Sequence, residues 1–207
     1  MKNFILTFTA LIIFLFSYGQ KIKRSKNLPP GVPSAAELAK ERRNHDCVQR
    51  YKRPLSERLK HYPFNLSKTI KLVSYFAQPS SQDSTIFVHN GLPLDFDTVC
   101  YSKLNEIITL NSAQIDTLTN ILYNTGFRGN TFIVTEIKCY EPRNAILFID
   151  SLVKTFAYIE LCFGCDKYEV SSNKIYFGEV CKQKFDLLRH FFLSAGVYYG
   201  TSGDSTD

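Results

Sequence analysis

"NAILFIDSLVKTFAYIELCFGC", residues 144–165, decides the fold. Its first part, Asn144 to Asp150, is apolar on both faces, and its second, Thr155 to Cys162, is rich in aromatic and aliphatic side chains. Only Ser151-Leu152-Val153-Lys154 separates them. Two such runs with so short a link read as neighbouring antiparallel strands. The doubly apolar first run reads as a central strand covered on each side. Upstream, Thr131 to Cys139 has the same character and connects through "YEPR", so a C-terminal three-strand meander is expected over 131–162.

Working outward, "TIKLVSYFA" (69–77) predicts a strand ending at Gln78-Pro79-Ser80-Ser81, and Asn105 to Leu110 predicts another. A short strand at Thr85 to Val88 and a turn at Asn90-Gly91 are expected between them. Asn111 can cap a helix with Gln114 at its third position; Ile115, Leu118, Ile121 and Leu122 then share one face until Asn124-Thr125-Gly126. A last helix is expected from Val180 to Ser194, with Cys181, Phe185, Leu188 and Phe192 inward and Gly196 as its stop. The fold class is α+β: an antiparallel sheet with packed helices and an N-terminal basic helical arm.

The N-terminus has Lys2, an unbroken apolar stretch from Phe4 to Phe16, and Ser17-Tyr18-Gly19 with small residues where a signal peptidase reads. A spanning helix needs about 20 apolar residues, which this stretch lacks, so it reads as a cleaved secretory signal with no transmembrane span after processing. The expected organisation is signal peptide at 1–19, a basic flexible and helical arm at 20–66, the α+β domain at 67–200 and a disordered tail at 201–207. The product is expected to be exported, periplasmic or secreted.

The chain of 207 residues has a formal charge of +6, distributed unevenly. Residues 21–53 hold ten Lys or Arg against three acids, whereas residues 54–207 hold 14 basic and 16 acidic side chains. The basicity therefore belongs to the arm. Residues 20–33, "QKIKRSKNLPPGVP", combine charge with Pro and Gly and predict a flexible segment. Ser34 and Glu37 form a capping box, so a mostly polar helix is expected from Ala35 toward Arg50, stopping before Pro54. Such an arm either remains solvated or meets an anionic envelope surface. Nucleic acid is not an expected partner of an exported chain whose arm holds no stacking aromatic beyond Tyr51.

The stretches Cys139-Tyr140-Glu141-Pro142-Arg143-Asn144-Ala145-Ile146 and Tyr158-Ile159-Glu160-Leu161-Cys162-Phe163-Gly164-Cys165 resemble a group of uncharacterised exported proteins of Bacteroidota. That group pairs a "CY-x-PRN-A-I" strand start with a "YIE-x-CF-x-C" strand end and a Cys-initiated helix, over the part matching residues 105–200. The resemblance implies an exported α+β domain and no particular chemistry. Where the group leads one to expect a glycine-containing turn, this chain has Ser151-Leu152-Val153-Lys154.

Six cysteines in an exported chain favour disulfides, with 15 possible pairings. The expected arrangement pairs Cys139, Cys162, Cys165 and Cys181 among themselves and ties Cys47 to Cys100. A redox role for Cys162-x-x-Cys165 is disfavoured, because the pair ends a strand instead of opening a helix and is flanked by Glu160 and Asp166. The alternative is a zinc site built from Cys139, Cys162, Cys165 and Cys181. Glu141, Arg143 and Glu160 are candidates for an exposed polar cluster that takes a ligand carboxylate, or for a turn-stabilising ion pair. No phosphate loop, nucleophile elbow or zincin segment is present. The sequence points to a non-catalytic binding or envelope-associated module stabilised by disulfides, with a thiol-redox or zinc protein as the alternative.

Overall fold

The computed structural model describes residues 31, 33–76, 91–131 and 139–201. The expected leader, most of the segment 20–33, the strand at 85–88, residue 90 of the expected turn, residues 132–138 of the expected meander strand and the tail from 202 onward lie outside the described residues. Residues 36–207 belong to one compact unit.

A five-stranded sheet carries the domain. Its strands are β2 (Thr69–Tyr75), β5 (Leu104–Thr109), β7 (Asn144–Ile149), β8 (Thr155–Cys162) and β9 (Lys167–Val170), in the order β5-β2-β7-β8-β9. Every pairing is antiparallel. The β7–β8 hairpin is the one read from residues 144–165, with Ile146 opposite Ile159 and Ala145 opposite Glu160. All six residues of β7 are buried, as a central strand requires.

A C-terminal three-strand meander is present, but it is made of β7, β8 and β9, one strand later than expected. Both edges of β7 are occupied, by β2 and β8. The four residues of β9, Lys-Tyr-Glu-Val, form an edge strand without a fully buried side chain, which is why composition did not reveal it.

Helices cover one face. Helix α3 (Ser112–Tyr123) starts with the anticipated reciprocal box: the Gln114 amide donates to Asn111 Oδ1 and the Asn111 amide to Gln114 Oε1, both at 2.9 Å. The last helix, α4 (Lys184–Ala195), begins four residues later than expected, so Cys181 precedes it instead of lying on its face. Gly196 ends it at φ 101°, a left-handed conformation that glycine adopts without a Cβ clash. Leu118 and Leu122 of α3 and Phe185, Leu188 and Phe192 of α4 bury Ile70, Leu72, Ile146, Phe148, Ile159 and Leu161. The opposite face holds Val73, Tyr75, Ala145, Leu147 and Ile149 under Leu92 and Val99, the latter from a small hairpin of β3 (Leu94–Asp95) and β4 (Thr98–Val99).

The helix expected from Ala35 toward Arg50 ends at Asn44; this is α1 (Ala35–Asn44). The chain then forms β1 (Cys47–Gln49), paired antiparallel with β6 (Thr125–Phe127), with Val48 opposite Gly126. Helix α1 buries only Glu41, so no apolar stripe prolongs it, and the backbone of residues 47–49 gains ladder partners by leaving the helix. A short helix, α2 (Leu55–Arg58), follows Pro54 and packs against α3 through Arg58.

Candidate functional site

Two disulfides staple the domain: Cys47–Cys181, 134 residues apart in sequence, and Cys139–Cys165, 26 apart. Cys100 and Cys162 are free thiols, the second buried. The expected tie from Cys47 to Cys100 is therefore corrected to Cys181, and Cys181 leaves the set expected to pair within the C-terminal region.

Local hydrogen bonds explain the true pairing. The Lys182 amide donates to the His45 carbonyl at 2.8 Å, and the Cys47 amide to Gln183 Oε1 at 2.7 Å, so the approach to α4 runs beside β1. Cys100 instead follows β4, in the stretch that covers the other face of the sheet, where its sulfur lies 3.4 Å from the Ser102 hydroxyl. With Cys139 bonded to Cys165 and Cys181 to Cys47, the alternative zinc set is not gathered as four thiolates. Among the described residues no group of three or more His, Cys, Asp or Glu is placed to hold a metal ion.

The Cys47–Cys181 bond organises a basic surface. Around Asn44–Asp46 three segments meet: the Arg128 amide donates to the Asp46 carbonyl at 3.0 Å, the Gly129 amide to the Asn44 carbonyl at 3.3 Å, and the Lys182 amide to the His45 carbonyl. These bonds bring Arg42 and Arg43, Arg128 and Lys182 to one region, and all four are exposed. Among the described residues none of them forms an ion pair. Asp46 is the acid in the same stretch, with Gln183 donating to its Oδ1 at 3.3 Å. Arg50, by contrast, is neutralised by Glu179 at 3.0 Å. Burial pushes the Glu179 carboxyl up, but hydrogen bonds from Tyr51, the Phe127 amide and Arg50 outweigh it and hold the group below its ordinary value.

The other chemistry-bearing region is the second face of the sheet. Glu160 is buried there, and its Oε1 accepts from the Tyr75 hydroxyl at 3.2 Å and, at close range, from the Leu92 amide. Burial, and then the Glu160 charge, push the Tyr75 phenol well above its ordinary value; the same two causes act in the same order on Tyr140 and Tyr158. Glu169 of β9 stands directly opposite Glu160.

The three residues considered for a polar cluster fall in different settings. Glu160 is an interior acceptor, Glu141 is exposed, and Arg143 is half-buried, with its carbonyl accepting from the Tyr75 amide at 2.9 Å and its Cβ against Gly200. The basic stretch at 21–53, which includes Arg42 and Arg43, was visible in the sequence, but the participation of Arg128 and Lys182 was not. Their only signal was their charge, and their convergence depends on contacts across more than 80 residues.

The chain matches no protein-family model, no curated protein and no solved structure. Its class therefore follows from its own fold and site: a disulfide-stapled α+β domain with a basic surface bolted to it.

Proposed function

We propose that this chain is an exported, non-catalytic binding module that attaches to an anionic envelope surface, specifically to phosphate-bearing lipid head groups. The observation that carries the reading is the convergence of Arg42, Arg43, Arg128 and Lys182, exposed and without ion pairs among the described residues, beside the Cys47–Cys181 bond. A covalent staple holds a polar helix that has little apolar surface of its own to dock with. The leader-like N-terminus and the disulfides agree with an oxidising compartment. Among the described residues no helix is long and apolar enough to cross a membrane.

Each cation near an anionic bilayer contributes about 1 kcal/mol. Replacing both Arg128 and Lys182 by alanine should then weaken binding to vesicles of phosphatidylglycerol and phosphatidylcholine by roughly 30-fold. Binding should also fall as salt rises. Equal sedimentation with pure phosphatidylcholine vesicles, or no change in the double variant, would remove the proposal. The thiol or zinc alternative is addressed in the same preparation by denaturing alkylation, intact mass and elemental analysis. Two alkylatable cysteines, Cys100 and Cys162, are expected without metal; four with stoichiometric zinc would replace this reading by the metal one.

A further inference from the structure

The tip of the β8–β9 hairpin gathers a buried thiol and a disulfide. Cys162 ends β8 as a free thiol, 2% exposed, and Cys165 three residues later is bonded to Cys139. The Cys165 amide donates to the Cys162 carbonyl at 3.3 Å, which closes a four-residue turn. In such a turn the end Cα atoms lie within about 7 Å, close to the roughly 4.4–6.8 Å that a disulfide spans. On the other side, the Cα atoms of Cys139 and Cys165 are 6.0 Å apart.

Alternation along β8 puts Cys162 on the same face as Glu160 and Tyr158. Tyr140, next in sequence to Cys139, belongs to that neighbourhood as well: the Lys167 ammonium lies 5.5 Å from the centre of its ring, and Lys167 stands opposite Cys162 in the β8–β9 ladder. Cys162 thus sits one turn from Cys165, the shared partner of the existing bond, and a purely structural account of the Cys139–Cys165 bond leaves this third sulfur unused.

We propose that the hairpin tip is a thiol–disulfide exchange site in which Cys162 displaces Cys139 from Cys165. The Cys162 thiolate attacks Sγ of Cys165, a Cys162–Cys165 bond forms, and the Cys139–Cys165 bond breaks. Cys139 leaves as a thiolate and takes up a proton, balancing the one that Cys162 released. No electrons enter or leave, so no oxidant or reductant is needed. The exchange uncouples the stretch beginning at Cys139 from the hairpin. That stretch runs to Arg143, whose carbonyl accepts from the Tyr75 amide, so the event reports on the face that holds Glu160.

Peptide mass mapping without reduction tests this directly. The attacking species is the thiolate, so incubation at about pH 9 followed by acid quenching should convert the Cys139–Cys165 linkage into Cys162–Cys165. Cys139 should become alkylatable while the total stays at two free thiols. Cys162→Ser should freeze the original linkage. Persistence of Cys139–Cys165 with labelling only at Cys100 and Cys162 would overturn the proposal, as would a Cys139–Cys162 bond with Cys165 freed. Cys139→Ser gives a second reading after oxidised glutathione, by intact mass so that glutathione adducts are distinguished. One free thiol, Cys100, is expected, and Cys162 and Cys165 both remaining unpaired would refute the exchange geometry.

Discussion

The Lys184 ammonium donates to the Ile121 carbonyl at 2.6 Å, from the first residue of α4 to the last turn of α3. It also donates to the carbonyls of Leu122 at 3.2 Å and Thr125 at 2.8 Å. The final carbonyls of a helix lack intrahelical donors and carry its negative dipole end, so a buried cation there satisfies both. Gly178 allows the close approach on the same side: at φ 85°, a Cβ would stand 1.9 Å from the Leu122 carbonyl oxygen.

Burial lowers the Lys184 pKa to about 8, with Glu179 opposing that shift. The unfolded chain keeps this proton to the ordinary lysine value of about 10.4. Between those limits the unfolded state binds more protons, so the stability contributed by this group rises with pH and is lost as pH falls through about 8. Lys184→Met should cost about 2 kcal/mol at pH 7.5 by leaving carbonyls without donors. The gap to the parent should widen by about 2 kcal/mol more by pH 9.5. Urea denaturation in a Cys100→Ser, Cys162→Ser background, which removes both free thiols and so prevents exchange with the disulfides, measures both; a gap that narrows with pH would contradict the burial penalty.

Arg58 is a second buried cation, and it joins α2 to α3. Its Nη1 donates to the Asp116 carbonyl at 2.6 Å and to the Thr119 hydroxyl at 2.7 Å, its Nη2 to the Asp116 carboxylate at close range, and its Nε to the Arg53 carbonyl at 3.1 Å. Arg58→Ala should destabilise by about 3 kcal/mol, because the acceptors it leaves are partly buried. Arg58→Lys should recover less than half of that, since a single ammonium does not reproduce a planar fork of donors. Thermal unfolding of the two variants separates geometry from charge.

These two cations show what the sequence conceals. The Asn111–Gln114 box and the β7–β8 hairpin were legible because their signals are local: one spans four residues, the other a four-residue link between apolar runs. Lys184 and Arg58 look like ordinary surface charges until distant carbonyls surround them. The pair β1 and β6 comprises three residues each, too few for periodicity to register. In the candidate site, Arg42 and Arg43 were visible as part of a charge run. Arg128 and Lys182 join them only through the pairing of β1 with β6 and the bond to Cys181, and six cysteines offer no sequence rule for choosing that bond.

The connection Ser151–Lys154 holds a local conflict. Val153 has φ 64° and is 80% exposed. A left-handed conformation costs an L-residue roughly 1–2 kcal/mol, and more for a β-branched one. The turn tolerates it because Asp150 Oδ1 accepts from the amides of Leu152 and Lys154, both at 2.9 Å. Val153→Asn should raise stability by about 1 kcal/mol, and Val153→Gly by slightly less, as glycine also loosens the unfolded chain. An unchanged or lower melting temperature for both would show that the turn does not store this strain.

The Cys47–Cys181 bond closes most of the domain into one loop, 134 residues along the chain. In the chain-entropy account, a closure of that size restricts the unfolded state by about 4 to 5 kcal/mol. Cys47→Ser with Cys181→Ser should therefore lower the urea midpoint markedly. It should do so without unfolding the sheet, whose strands β2, β5, β7, β8 and β9 contain neither residue. Helix α1, which buries only Glu41, should loosen first. Trypsin should then cleave after Arg42 and Arg43 at least tenfold faster than in the parent, as local opening follows the lost docking. Lipid vesicles that bind the basic face should lose affinity in parallel, because Arg42 and Arg43 would no longer be held beside Arg128 and Lys182. Unchanged cleavage at these arginines would mean that hydrogen bonds from Arg128, Gly129 and Lys182 anchor the end of the helix without help from the covalent bond.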